Sequence, residues 1–259
     1  LSWGCLRVSW ESIPMSRFKL TIQYDGTLFF GWQIQASVRT VQGEVEQALL
    51  NIDKSTQRIP VHGSGRTDTG VHATGQVAHF DLATKLGERE LKDALNAHLS
   101  ENCRIMSIEK VTDKFHARFD AVRRHYRYQC YAGDSILYRN QAWCLRVPDI
   151  QRLNQLAALV IGDHDFQSFG KYRLDQKNTH CTIYQAEWKG QGDFVNFFIA
   201  GNRFLHHMVR YLVGTMVKTS QGNFSQDGFE SLLLEPQKDA RVQKAPPQGL
   251  FLEKVDYVD

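Results

Sequence analysis

The sequence has 259 residues, of which 42% are hydrophobic and 23% charged, with a formal net charge of +3; this is the composition of a folded globular chain and argues against a disordered or fibrous one. No run of about 18 apolar residues occurs, so no transmembrane helix is predicted. The five cysteines are odd in number and never fall at CxxC spacing, which argues against a disulfide framework or zinc knuckle and leads us to expect reduced thiols in a cytoplasmic protein.

Residues 1–14 read LSWGCLRVSWESIP. Gly4, Arg7, Ser9 and Glu11 interrupt the apolar run that a signal peptide needs, so a poorly ordered leader ahead of Met15 is expected. Over 17–24, Phe18, Leu20 and Ile22 alternate with polar residues, which predicts a strand ending at the turn dipeptide Asp25-Gly26. Val41, Val45, Ala48, Leu49 and Ile52 lie on one face of a helix over 41–52. Short strands are predicted over 59–62 and 75–82, then a helix over 88–99 and a strand over 104–111. A basic connector bearing His116, Arg118, Arg123 and Arg124 leads into a strand over 125–131. Beyond Pro148 come a helix over 149–161, paired strands over 180–189 and 194–200, helices over 204–220 and 225–234, and a closing strand over 249–257.

The order strand, helix, strand, strand, helix, strand thus occurs twice in rough form. Short links between consecutive strands favour antiparallel pairing, with helices on one face. The predicted class is α+β: two related, ferredoxin-like halves over 15–113 and 114–259 sharing a largely antiparallel central sheet, with a binding cleft between them.

The segment over 62–81, HGSGRTDTGVHATGQVAHFD, holds the chemistry. Glycines at 63, 65, 70 and 75 let the backbone turn tightly and let a ligand approach around one acid, Asp68. Arg66 stands two residues away. A carboxylate acting as base or nucleophile must be ionised, and a neighbouring cation keeps it so. The segment lacks the spacing of a phosphate loop or a dinucleotide fingerprint. In the helix over 204–220, Arg210 lies among Met208, Val209, Leu212 and Val213. A guanidinium there needs an anion, or else must reach solvent along the helix surface.

GRTDTGVHATGQVAHF at 65–80 resembles the signature of the tRNA pseudouridine synthase A family. YDGTLFFGWQIQ at 24–35, FHARFDAVRRHYRYQCY at 115–131, DFQSFGK at 165–171, NRFLHHMVRYLVGT at 202–215 and APPQGLFLEKVDY at 245–257 resemble its other motifs in the same order. Thr69 stands where relatives carry Ala, and His125 where many carry Arg or Lys. The resemblance implies the pseudouridine synthase fold and isomerisation of uridine to pseudouridine at positions 38, 39 and 40 of the tRNA anticodon stem-loop, without metal or cofactor, by a homodimer. It makes Asp68 the catalytic carboxylate, Tyr126 the platform for the target uracil and Arg210 the partner of Asp68. Leu250 then lines the uracil pocket, and Arg66 contacts the RNA backbone or orients the flipped nucleotide.

Arg118, Arg123, Arg124, Arg203, His206 and His207 are expected to line the RNA path, since phosphates are met chiefly by basic side chains. On the strand, Tyr126 and Tyr128 share one face and Arg127 takes the other. The alternatives are an enzyme of the same fold acting on other RNA positions, and an RNA-binding or RNA-folding protein whose catalysis is dispensable. A metal-dependent hydrolase built on His164-Asp165 lacks further ligands at helical spacing.

Overall fold

A computed structural model describes residues 13–54, 56–146, 149–171, 178–238 and 240–258. The expected leader lies outside them except for Ile13 and Pro14.

Alternation builds the first strands as predicted. β1 (Met15–Tyr24) buries Phe18, Leu20, Ile22 and Tyr24. It pairs antiparallel with β3 (His72–Ala83) and with β4 (Cys103–Val111). The predicted strand over 59–62 contracts to β2 (His62–Gly63), which pairs with β3. α1 (Val41–Asp53) begins where the Thr40 hydroxyl accepts from the Gly43 N–H. α2 (Glu88–His98) begins where the Glu90 carboxylate reaches back to the Gly87 N–H. Each side-chain cap satisfies an N–H that the helix itself leaves unpaired. Val45 and Leu49 of α1 and Leu91 and Leu95 of α2 share a core with Leu20 and Ile22.

The second half contains β5 (Ala121–Tyr131), β6 (Trp143–Cys144), α3 (Ile150–Ala158), β7 (Gly162–Asp165), β8 (His180–Gln191), β9 (Phe194–Gly201), α4 (Met208–Ser220), α5 (Gln226–Leu234) and β10 (Leu250–Tyr257). Its core joins Leu153 and Leu156 of α3, Trp188 and Phe197 of the β8–β9 hairpin, Leu212 of α4 and Phe229 of α5.

All ten strands belong to one sheet with the main order β4-β1-β3-β10-β5-β9-β8-β7. Neighbours are antiparallel except β3–β10 and β5–β6. The last strand therefore returns to lie between the two halves. It meets β5 in a long antiparallel ladder, but meets β3 only at His72↔Phe251 and Ala73↔Leu252. Leu250 joins the second core and Leu252 the first. Residues two apart on a strand point the same way, so both cores lie on one face of the sheet. Tyr126, opposite Leu252, packs against both cores and marks the seam between them.

Two elements depart from the periodicity. The helix predicted over 204–220 starts only at Met208, because His207 adopts a left-handed conformation with φ 67°. The edge strand β7 carries GDHD, with no apolar alternation to announce it. There His164 Nε2 bonds the Ile161 carbonyl at 3.0 Å and Asp165 accepts from the Gln167 N–H at 2.9 Å. These are local turn contacts, and they leave the hydrolase alternative without a site among the described residues.

Candidate active site

The glycine-rich segment rests on the motif at 24–35. The Trp32 N–H donates to the Thr67 carbonyl at 3.1 Å, the Gly70 N–H to the Phe29 carbonyl at 3.3 Å, and the Tyr24 and Thr67 hydroxyls bond at 2.8 Å. Gly31 makes this approach possible. Its φ is +86°, and a Cβ there would lie 2.6 Å from the Thr67 carbonyl oxygen. Asp68 is thus held in place from below by the first half of the chain.

From above, the start of α4 closes on the same carboxylate. Arg210 Nη1 donates to Asp68 Oδ2 at 3.0 Å. His206 Nε2 lies 3.2 Å from Oδ1, and His207 Nε2 3.4 Å from Oδ2. The guanidinium is fixed in turn by Nε donating to the Ala245 carbonyl at 2.9 Å, while the Ala245 N–H returns a bond to the Arg210 carbonyl. The Arg210 side chain is only 8% exposed and that of Asp68 16%. The guanidinium therefore meets its anion inside the protein and does not escape along the helix.

Burial by itself would raise the Asp68 carboxyl. The His206 hydrogen bond, the His207 contact and the Arg210 hydrogen bond outweigh it and hold the group below its ordinary value. It is ionised at neutral pH. Burial pushes His207 down to about 4, so this imidazole is neutral at pH 7 and faces the carboxylate as a dipole. The buried Nδ1 of His207 has no hydrogen-bond partner. Tyr126 is half-buried, with the Phe204 ring edge-on at 5.1 Å. Burial first, and the nearby Asp68 charge, push its hydroxyl up to about 12.

The fold brings together Asp68, Arg210 and Tyr126 from the predicted set. It also sets His206, which is exposed, and His207, which is half-buried, beside Asp68. Both histidines precede α4, so helical spacing from Arg210 does not account for their place; the left-handed turn at His207 does. Arg124, expected on the RNA path, turns its guanidinium to backbone carbonyls. Its guanidinium donates to the carbonyls of Ala121, Asn202, Ser64 and Arg118 at 2.7–3.2 Å. A strand Arg beside two loops with unpaired carbonyls satisfies them all at once, and here it ties β5 to the segment leading to Asp68.

Leu250 is buried opposite Tyr128 at 6% exposure. Arg66 is exposed and donates to Gln33 Oε1 at 3.0 Å. Arg118 and Arg123 are exposed and Arg203 is half-buried. Donor atoms of Asp68, His206 and His207 all lie within 4.8 Å of one another, a set of the type that holds a divalent metal. The Arg210 cation on the same carboxylate opposes a second positive charge there. These ligands come from distant parts of the chain, so no spacing motif marks them.

Residues 20–120 and 156–258 match the family model for tRNA pseudouridine synthase. The chain belongs to that family. Curated relatives named tRNA pseudouridine synthase A extend the match to nearly the whole length. The protein of a Bradyrhizobium species is 43% identical over 249 residues, covering 94% of this chain and 100% of the relative. Those of Bacillus licheniformis and Bacillus subtilis are each 40% identical over 244 residues, covering 93% of this chain and 99% of the relative. The enzyme is accordingly an isomerase that converts uridine to pseudouridine, with tRNA as the substrate class that membership implies. A solved archaeal Nop10–Cbf5 complex is a remote likeness, at 12% identity and a TM-score of 0.33, covering 78% of this chain and 43% of that one. Among the described residues no helix is long and apolar enough to cross a membrane.

Proposed function

We propose that the enzyme acts on uridines 38, 39 and 40 of the tRNA anticodon stem-loop, with the Asp68 carboxylate as the acting group. The observation that carries this is a carboxylate kept ionised in a partly buried seam by Arg210, His206 and His207. In the isomerisation the N1–C1′ bond of uridine breaks, the ring turns, and a C5–C1′ bond forms. One proton leaves C5 and one is gained at N1, so the overall composition is unchanged. Attack on the sugar, attack on the base and removal of a sugar proton each require an anionic oxygen next to the nucleoside.

A uridine inside a stem must leave its stack to reach that oxygen, at a cost of a few kcal/mol. Tyr126, at the seam and near Asp68, offers the flipped uracil a face, and base–aromatic stacking returns about 1–3 kcal/mol. Leu250 closes the apolar end of the same strand face. Arg66, on the exposed side of the segment, takes the RNA backbone or the flipped nucleotide. Arg118, Arg123 and Arg203 supply phosphate contacts. We place the enzyme in the cytoplasm and expect it to work as a homodimer, as the family resemblance implies; light scattering at working concentration tests the latter.

The test of the acting group is Asp68→Asn. On unmodified tRNA transcripts, tritium release from C5 is expected to vanish while tRNA binding persists. Product formed at the wild-type rate would refute the role of Asp68. Pseudouridine mapped away from positions 38–40 would refute the site assignment.

A further inference from the structure

The loop between β4 and β5 is fixed with unusual completeness. The His116 N–H donates to Asp120 Oδ2 at 2.8 Å, and the Asp120 N–H to the His116 carbonyl at 3.1 Å. His116 Nδ1 accepts from the N–H groups of Arg118 at 3.1 Å and Phe119 at 3.3 Å. Ala117 is anchored on both sides, its N–H on His79 Nδ1 at 3.1 Å and its carbonyl on the Tyr257 hydroxyl at 2.7 Å. Arg124 holds the Arg118 carbonyl at 2.8 Å.

This anchored loop displays a bare aromatic ring. Phe119 is 75% exposed. Its inner side lies against the His116 ring, 4.2 Å between centroids. His116 packs on His79 at 4.7 Å and on His62 at 5.9 Å, and His62 stacks on His79 at 5.0 Å. Burial and their mutual proximity push His79 down to about 4 and His116 below its usual value. His79 and His116 thus favour the neutral form at pH 7 and can pack together without like-charge repulsion. Positive charge comes from Arg118, 5.9 Å from the Phe119 ring centre.

An apolar ring held at the surface with a guanidinium beside it matches one kind of partner, an aromatic base on an anionic backbone. A buried dimer patch would need contiguous apolar neighbours, whereas Phe119 stands between Arg118 and Asp120. Arg124 sets the position of this ring relative to the cleft, because the same guanidinium also holds the Ser64 carbonyl, four residues before Asp68.

We propose that Phe119, backed by His116 and with Arg118 beside it, is a stacking platform for a nucleotide of the bound tRNA outside the uridine cleft. The proposal rests on Asp68 marking the place where the target uridine is converted. The platform holds the RNA while the cleft performs the reaction, so it acts on binding and leaves the chemical step unchanged.

The experiment compares Phe119→Ala and Phe119→Trp with wild type on an unmodified tRNA transcript. The expected result is a KM raised about ten- to a hundredfold in the Ala variant, with kcat within about twofold and recovery in the Trp variant. An unchanged KM in the Ala variant overturns the platform. So does a loss of oligomeric state in Phe119→Ala, which would assign the ring to contact between copies. Asp68→Asn, run beside them, separates the two readings. If it abolishes product while Phe119→Ala leaves KM unmoved, the platform alone fails. If it retains product, the reading of the cleft fails while the change in KM still reports on Phe119.

Discussion

Replacing Arg210 by Met keeps an unbranched stem in the helix and removes the guanidinium from Asp68. Breaking a buried ion pair by deleting one partner costs about 3–5 kcal/mol. The lost charge-assisted hydrogen bond accounts for roughly 1.5–3 kcal/mol of that, and the stranded Ala245 carbonyl for about 1 more. His206 and His207 still face the carboxylate, so the lower end, about 3 kcal/mol, is expected. At roughly 2–4 °C per kcal/mol for a chain near this size, Tm falls by about 6–12 °C.

The pH dependence makes the test sharper. In the native enzyme the Asp68 carboxyl lies below its ordinary value of 3.8. Its stabilising contribution is therefore complete above that value and disappears as pH falls through the lower native one. Without Arg210 only His206 and His207 oppose burial, and the native value rises. The carboxylate then stabilises the fold less at neutral pH, and protonation removes the difference. The Tm gap between the two proteins should be widest near pH 7 and narrow towards pH 4, while the acid limb of kcat moves to higher pH. Thermal melts across that range and C5 tritium release measure both. A gap that does not vary with pH, or an acid limb that stays in place, would refute the pairing as the source of the ionised state.

Gly31→Ala forces a left-handed residue and a Cβ onto the Thr67 carbonyl. We expect a loss of about 2 kcal/mol from the strained conformation and contact and a fall in kcat of roughly a hundredfold from a displaced Asp68; wild-type kcat in a stable variant would show that the cradle does not position the acid. His206→Ala should move the acid limb of kcat upward by about one pH unit, since a hydrogen bond to a charged group is worth about 1.5–3 kcal/mol, and His207→Ala, which removes a 3.4 Å contact, should move it less. The Gln variants retain an N–H donor and should lie nearer wild type. Identical pH profiles across the set would remove both imidazoles from the tuning of Asp68.

Much of the scaffold was legible because its signals are local. β1 alternates apolar and polar residues, and α1 repeats them at helical spacing. β7 has neither pattern, since an edge strand of Gly, Asp and His buries too little to need one. The early start predicted for α4 failed at His207, whose left-handed backbone no propensity announces. In the site, Arg210 was legible as a charge among apolar neighbours, which demands an anion. That the anion is Asp68 required family resemblance or the fold, because the two lie in different halves. The backbone bonds of Arg124 were hidden for a related reason. Its four acceptors are carbonyls from several segments of the chain, and a sequence cannot say which carbonyls will be left unpaired.

Along the main strand order, the place where the two cores meet is also where neighbouring strands share the fewest residue pairs. β3 and β10 share only two residue pairs there. Polar side chains bind the halves across the gap: Arg210 to Asp68, Arg124 to the Ser64 carbonyl, and His72 Nε2 to the Asn140 carbonyl at 3.0 Å. A carboxylate this buried stays ionised only if fixed cations and dipoles face it, and these act most strongly when they need not reorganise as the substrate arrives. Because they come from the opposite half, the contacts that join the protein are the same ones that charge the site. A change that loosens the seam should therefore lower stability and raise the Asp68 pKa together, whereas a change deep in either core should affect stability alone.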